Sequence, residues 1–445
     1  MPSGNTSGSN RADRRNFLKL TGATVVAGSL AGCGGNGGNG GNGGDSGDGG
    51  GDSGGDSGGD SNGATAGDSG GDGGEDIVIG GLQPYTGPYA QTTQEFVDGF
   101  NFRLDEINAD GGVLGRNLVF EDRDTQLDPA EASTLATELI EADDAVALTG
   151  PISSDIGLTV GPIAEQNQVP HVPQFVGSSE FLTRDSRYNF RMGLAPAPTN
   201  ARAVSQFIQD QGFESVGAII ADYSYGRAWE QSIESVFPDG IDVHMEVAPF
   251  GESSFTTYLR SMPDDLDLLI TASHPPGVFT IYNQLQGLSD VNPDYVIGRS
   301  DAKLSANALG DSVTQGFLAQ TQPDPFSDQY AEVAQRFYDQ TEGWFGVLNG
   351  VGYVVADLFA AAIEDAGEAN PTAIADSIRN IELDTLFASP IEYTEWGELQ
   401  NLVQLMVGFE SGSPEYYPDG SVDLTEEFRS EPLPAYDPSS DILSG

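Results

Sequence analysis

The chain has 445 residues, in which 68 Asp and Glu outnumber 18 Lys and Arg, so its formal net charge is -50 at pH 7. This charge argues against nucleic acid and anionic membrane surfaces as partners. One cysteine and three widely spaced histidines exclude a disulfide framework and predict neither a metal site nor a cofactor. No apolar run approaches the ~18 residues of a membrane-spanning helix.

Only two cations are lysines, Lys19 and Lys303. A surface of one charge sign keeps a protein soluble when salt screens repulsion over only ~3 Å at 1 M. The composition therefore indicates adaptation to molar salt, which describes the habitat of the protein and not its activity.

Residues 1–33 have the features of an export signal. Arg14 and Arg15 precede a short apolar run that ends in Leu-Ala-Gly-Cys, which is typical of a signal peptide rather than a membrane helix. The paired arginines resemble a twin-arginine signal. The last four residues resemble a lipobox, in which Cys33 receives lipid, and the alternative is a chance apolar N-terminus with a buried cysteine.

Residues 34–75 are almost wholly Gly, Asp, Ser and Asn. They have nothing to bury and predict a disordered tether with a reach of ~35 Å. Calcium-binding Gly/Asp repeats have a similar composition. Each turn of such a repeat buries an apolar residue, and this segment has no such residues. The tether predicts a domain on the outer face of the cell membrane, attached through lipid alone.

From Asp76 onward, apolar strands alternate with amphipathic helices. Strands are predicted at 77–82, 118–122, 145–148, 169–172, 216–220, 266–272 and 295–297, and helices at 96–108 and 130–141. Continuous apolar strands between helices indicate parallel sheets covered on both faces. Roughly 370 residues exceed one core, so an α/β fold with two lobes is expected.

The turns after these strands are the candidate functional segments, because ligands of open α/β sheets bind beyond the carboxyl ends of the strands. These turns supply hydroxyls, aromatic rings and one carboxylate. They offer no nucleophile–base pair, no G-x-S-x-G elbow and no metal-ligand spacing, so the chain is not expected to be an enzyme.

Several motifs between Asp76 and Tyr436 make the chain similar to a known family. They are Thr86-Gly87-Pro88-Tyr89-Ala90, the stretch from Glu106 to Arg116, Glu121-Asp122-Arg123-Asp124 with Asp128-Pro129, Gly150-Pro151-Ile152-Ser153-Ser154, and Tyr225-Gly226. They resemble the type I periplasmic solute-binding proteins, in the branched-chain amino acid (Leu/Ile/Val) subfamily of ABC importers. The Gly-Gly-Val-Leu-Gly stretch lies between a helix and a strand, which indicates a tight turn rather than a dinucleotide loop.

The resemblance implies two Rossmann-like lobes joined by a three-segment hinge. Lobe 1 would combine residues 76–198 with 323–386, lobe 2 would combine 199–322 with 387–436, and 437–445 would be a tail. Such a protein is a monomer that closes on a small polar solute and delivers it unchanged to an ABC permease. A sensor that uses the same fold without transport is the alternative.

The resemblance also implies the residues that hold the ligand. Ser153 and Ser154 match the family's carboxylate-binding serine at a helix start, where free N–H groups favour an anion, and the alternative is that one is only an N-cap. Asp301 matches the acidic residue that accepts the ligand's ammonium, or it is an ordinary turn aspartate. Tyr225 matches the tyrosine that closes over the ligand.

The loop at 173–178 departs from the family's pattern of small residues with a threonine. The backbone of Phe175 and Gly177, together with Ser178, can still hold the carboxylate and ammonium of an amino acid. The ring of Phe175 fills space that the common pattern leaves open. Short amides, urea and aromatic carboxylates, which relatives bind, are therefore alternatives to a branched-chain amino acid.

Three further residues are weaker candidates. Tyr85 and Tyr89, together with Phe175, would form an aromatic pocket, or the two tyrosines pack in the core. His274 falls near another family tyrosine, and for a lone histidine a structural role is favoured.

Overall fold

A computed structural model of the protein describes residues 75–273, 276–298 and 301–439. The predicted signal with Cys33, the tether up to residue 74, and His274 lie outside the described residues. So does the end of the predicted tail, from residue 440.

The first sheet contains four parallel strands in the order β2-β1-β3-β4. The strands are β1 (Ile77–Gln83), β2 (Leu118–Asp124), β3 (Ala147–Thr149) and β4 (His171–Val172). The helices between them are α1 (Ala90–Ala109), α2 (Pro129–Glu141) and α3 (Ser154–Asn167). Helix α2 shows how the sequence sets such a boundary, since the Asp128 side chain accepts from the N–H groups of Ala130 and Glu131.

The second sheet contains seven strands in the order β11-β10-β9-β8-β7-β5-β6. Its strands are β5 (Ser215–Asp222), β6 (Asp242–Pro249), β7 (Leu268–Ala272), β8 (Tyr295–Gly298), β9 (Phe317–Thr321), β10 (Leu405–Ser411) and β11 (Val422–Arg429). Strands β5 to β9 are parallel, whereas β10 and β11 are antiparallel additions. The helices that accompany it are α4 (Ala197–Gln211), α5 (Ser224–Val236), α6 (Thr256–Ser261), α7 (Gly277–Gln286) and α8 (Ala302–Leu309).

Three further helices lie between β9 and β10 in the chain but pack on the side of the first sheet. They are α9 (Asp328–Thr341), α10 (Val347–Ala366) and α11 (Pro371–Asn380). Helices α1 and α10 approach closely through glycine, because a Cβ on Gly352 would lie 2.0 Å from the backbone oxygen of Phe96. The chain therefore passes between the sheets three times, after β4, after β9 and after α11.

Helix α10 is long and apolar enough to cross a membrane by length and composition, so the expectation that no such run exists was wrong. In the fold, 83% of its apolar window is buried. Core helices of water-soluble folds have this character, and α10 packs against α1 over much of its length.

The predicted α/β architecture with parallel sheets is confirmed, and every predicted strand and helix is present. The largest boundary error concerns α1, which was predicted from residue 96 and begins at Ala90. Its first turn is the polar run Gln91-Thr92-Thr93-Gln94, which carries no apolar period for sequence analysis to detect.

Candidate functional site

Ser154 is the centre of the site at the edge of the first sheet. It begins helix α3 just beyond β3, and it is only 1% exposed. Its Oγ accepts hydrogen bonds from the N–H groups of Gly177 and Ser178, each at 3.2 Å. Because a hydroxyl has two acceptor lone pairs and one donor, both lone pairs are used and the O–H remains. Ser154 therefore offers a donor at a helix N-terminus, where an anion is favoured.

Ser153 stands at the N-cap position of α3, but its side chain makes no capping hydrogen bond. It is half-buried. The two serines predicted as equivalent candidates thus differ, since Ser154 organises the neighbouring loop and Ser153 lies at its margin.

The loop after β4 is held mainly by the protein's own groups. The Gly177 carbonyl accepts from Ala197 N–H at 3.2 Å, and the Ser178 hydroxyl accepts from Glu180 N–H at 3.3 Å. The Phe175 ring lines the neighbouring cavity. The backbone groups expected to bind ligand are thus engaged by groups of the protein itself.

Tyr225 brings the second sheet to this loop. It lies in the first turn of α5, is 1% exposed, and its hydroxyl accepts from Asn200 Nδ2 at 3.2 Å. A Cβ on Gly177 would lie 2.6 Å from the Tyr225 ring, so the ring packs directly on the glycine. The structure therefore brings together four of the candidate residues, Ser154, Gly177, Ser178 and Tyr225.

A cavity of about 540 Å³, including the open space at its mouth, lies beside this cluster. Its walls come from both sheets and from the segments that run between them. The apolar lining residues are Ile152, Phe175, Leu194, Leu304, Pro323, Val347, Leu348 and Val351, and the polar ones include Thr92, Asp301, Gln320 and Thr321. None of these lining residues is a lysine or an arginine.

Asp301 is the carboxylate of this cavity, and it is 2% exposed. One oxygen accepts from Leu304 N–H at 3.0 Å and caps α8, and the other accepts from Leu348 N–H at 3.0 Å in the first turn of α10. Burial raises the pKa of Asp301, against the effect of these two hydrogen bonds. The residue joins helices of the two sheets, a contact that its sequence position alone did not indicate.

Lys303 makes a second contact between the sheets that sequence analysis missed. Its Nζ lies 2.6 Å from Glu95 Oε2 on α1, and the side chains are 19% and 11% exposed. Burial raises the pKa of Glu95, and the charge of Lys303 opposes that rise. The one feature of the sequence that could have drawn attention to Lys303 is that it is one of only two lysines in the chain.

The three aromatic candidates do not form one pocket. Tyr89 is buried before α1, where burial and the charge of Asp155 raise its pKa. The Tyr85 hydroxyl donates to Asp122 on β2. Neither tyrosine lines the cavity, so of the three only Phe175 does.

Comparison with known proteins gives consistent results. The model of a family described as periplasmic binding protein matches residues 76–411. The chain is 23% identical over 348 residues to the Leu/Ile/Val-binding protein BraC3 of Rhizobium johnstonii, covering 76% of this chain and 92% of that protein.

Solved structures with the same fold carry different ligands. The branched-chain amino acid transporter substrate-binding protein LivJ of Streptococcus pneumoniae, in complex with isoleucine, has a TM-score of 0.68 at 17% identity, covering 79% of this chain and 99% of that chain. An ABC transporter solute-binding protein of R. palustris, in complex with benzoate, has a TM-score of 0.67 at 16% identity, covering 81% and 98%.

Proposed function

Because the chain belongs to the periplasmic binding protein family, we propose that it captures a small solute by lobe closure and hands it unchanged to an ABC permease. The proposed moving units are residues 76–198 with 323–386 and residues 199–322 with 387–436. The observation that carries this proposal is the cavity, which is lined by both sheets beside the Ser154–Tyr225 cluster.

The proposed ligand is an amino acid with an apolar side chain. Its carboxylate would bind the Ser154 O–H and the start of α3, near Ser153, Gly177 and Ser178. Its ammonium would bind to the Asp301 carboxylate, which lines the cavity. Most of the cavity wall is apolar. Such a wall suits an alkyl side chain, whereas a charged side chain would lose its hydration there without gaining a partner.

An aromatic carboxylate is the second candidate, because Phe175 offers a ring in the cavity. Such a ligand has no ammonium group, so it would leave the buried Asp301 facing an anion. Among the described residues, no lysine or arginine lines the cavity to offset that repulsion, and nearby Lys303 is already paired with Glu95. These two features favour the amino acid.

Closure of the two units on the ligand is part of this proposal. Ligand groups that touch both Ser154 and Asp301 can do so only when the two sheets are close, so binding shifts the population to the closed form. Tyr225 would cover the ligand from the second sheet, and Tyr89 would support the first sheet at the margin. No bond of the ligand has to be broken or made.

We further propose that the protein works as a monomer outside the cell. Cys33 would be its lipid-bearing N-terminus, the twin-arginine pair its export signal and residues 34–75 its tether. The charge of -50 suits a protein that remains soluble in molar salt.

Calorimetric titration of the mature chain in molar KCl tests the proposal. Leucine, isoleucine and valine should bind at one site per chain, and benzoate, urea and acetamide should bind more weakly or not at all. Mass spectrometry should recover the bound solute unchanged. Conversion of the solute would refute the binding function, and preference for benzoate would refute the amino acid assignment.

A further inference from the structure

We propose that Arg191 and Glu398 are positioning residues that hold the loop at 176–178 in its ligand-binding shape. This inference rests on the proposed function, because it assigns a role to that loop. It concerns two residues that do not line the cavity.

Arg191 is completely buried and is paired with a buried carboxylate. Its Nε lies 3.2 Å from each Glu398 carboxylate oxygen, and its Nη2 lies 3.2 Å from Oε2. The side chains are 0% and 2% exposed. Burying both charges carries a large desolvation penalty, so such a pair is weak evidence for a gain in stability.

The other arm of the guanidinium reaches the ligand loop. Arg191 Nη1 donates to the carbonyl of Val176 and, at 3.1 Å, to the carbonyl of Ser178. On its opposite side, the same loop donates the N–H groups of Gly177 and Ser178 to Ser154. The loop is therefore fixed from two sides, by a residue of the proposed site and by Arg191.

Glu398 is itself held in a rigid turn. Its N–H donates to the Thr394 hydroxyl at 3.0 Å, and its Oε1 accepts from Leu399 N–H at 3.2 Å. In the same turn Gly397 has φ +84, and a Cβ there would lie 2.1 Å from the backbone oxygen of Asn189. The turn thus lies directly against the segment that carries Arg191.

This arrangement links the loop to the segments that run between the sheets. Arg191 precedes the passage into α4, and Glu398 lies in the segment from α11 to β10. Arg191 N–H donates to the Gly397 carbonyl at 2.8 Å, and the Tyr393 hydroxyl donates to the Arg191 carbonyl at 3.0 Å. A change in either segment during closure would therefore be transmitted to the carbonyls of Val176 and Ser178.

The test compares two variants of the mature chain. Arg191→Lys keeps the charge but replaces a planar fork of three nitrogens with a single ammonium nitrogen, which cannot reach Glu398 and both carbonyls together. The double variant Arg191→Met/Glu398→Met removes the pair without leaving a buried charge unpaired. Both should raise hydrogen exchange in the 174–180 segment about tenfold without ligand, and both should weaken leucine binding about tenfold.

Asp357→Asn is the matched control, since it breaks the Arg103–Asp357 pair between α1 and α10, at 2.6 Å. It should lower stability but leave loop exchange and affinity unchanged. Normal loop exchange and affinity in the folded double variant would overturn the positioning role. If the wild type bound no solute while the variants still loosened the loop, the proposed function would fail and the positioning role would stand.

Discussion

Lys303 Nζ lies 2.6 Å from Glu95 Oε2, and this ion pair joins helix α8 of the second sheet to helix α1 of the first. Asp301, two residues earlier, reaches α10 on the same side through Leu348. Farther along the cleft, the Ser224 hydroxyl donates to Asp155 at 2.5 Å and joins α5 to α3. Each of these polar contacts joins a helix on the side of the first sheet to a helix of the second.

We expect Lys303→Met to weaken ligand binding by about fivefold to thirtyfold, equivalent to about 1–2 kcal/mol. The variant keeps an unbranched side chain but leaves the largely buried Glu95 carboxylate without its ion-pair partner. The loss should lie mainly in faster ligand dissociation, because the pair joins the two units that are proposed to separate when the ligand leaves. Stopped-flow fluorescence measures this rate.

The matched control for Lys303→Met is Arg123→Met. Arg123 on β2 pairs at 2.7 Å with Asp143, which lies in the turn after α2, so both residues belong to the side of the first sheet. This variant removes a cation without touching the cleft. Equal dissociation rates in the two variants would contradict a role of Lys303 in closure.

Ser154→Ala should reduce affinity for leucine by about tenfold to 150-fold. It removes the O–H donor to a carboxylate, worth about 1.5–3 kcal/mol for a charged partner, and it leaves two buried N–H groups of the loop unsatisfied. Ser153→Ala should change affinity less than threefold, since its side chain makes no capping hydrogen bond. Calorimetric titration distinguishes the two, and the reverse order would exchange their assigned roles.

Gly177→Ala should block full closure without unfolding either lobe. The added Cβ would lie 2.6 Å from the Tyr225 ring and 2.7 Å from Leu194, so the ring of the second sheet must move away. We expect a larger radius of gyration with leucine bound than for the wild type, measured by small-angle X-ray scattering. A compact, tightly binding variant would show that Tyr225 does not cover the site.

Asp301→Asn tests which feature of the ligand the carboxylate recognises. Asparagine has one acceptor oxygen, so one of the two N–H groups that Asp301 binds would face an amide NH₂. Leucine affinity should fall by about tenfold to 150-fold, or about 1.5–3 kcal/mol. Titration with leucine and with 4-methylpentanoate, which lacks the ammonium group, separates recognition of the ammonium from a general disturbance of the site. If Asp301 binds the ammonium, the variant should lose more affinity for leucine than for 4-methylpentanoate.

The fold could be predicted from the sequence because its signals are local. Each buried parallel strand is a short apolar run, and helices such as α2 carry a capping residue and an apolar face. The strand ends then identify the edge where ligands bind. Ser154, Gly177 and Tyr225 all follow strand ends, and they lie together in the structure.

The remaining contacts of the site depend on pairs far apart in the chain. Glu95 and Lys303 are 208 residues apart, and Arg191 and Glu398 are 207 apart. The sequence around each of these four residues carries no periodic pattern that indicates which distant residue it pairs with. Tyr85 could not be decided from the sequence, which left a pocket and core packing open; in the structure its hydroxyl donates to Asp122, 37 residues away in the chain.

Glu106 on α1 makes the stability of the protein depend on pH. Its Oε1 accepts from Arg336 on α9 at 2.9 Å, and its Oε2 accepts from Tyr353 on α10 at 3.0 Å. Burial pushes the pKa of Glu106 upward, but the hydrogen bonds from Arg336 and Tyr353 and the charge of Arg103 together lower it below its ordinary value of 4.5. The carboxylate thus joins three helices and is stabilised in its charged form.

The sign of the pH effect follows from this lowered pKa. Between the native pKa of Glu106 and 4.5, the unfolded chain binds more protons than the native one, so stability from this group rises with pH. The stabilisation by Glu106 is fully present above its ordinary pKa of 4.5, and it is lost as the pH falls through the lower pKa of the native protein. Glu106→Gln should therefore cost about 1–2 kcal/mol at neutral pH, and progressively less in acid. Urea unfolding of the wild type and the variant at several pH values measures the difference in their free energies of unfolding. The effect of the acidic surface is common to both proteins and cancels in this difference. A difference that does not change with pH would assign the loss to packing instead.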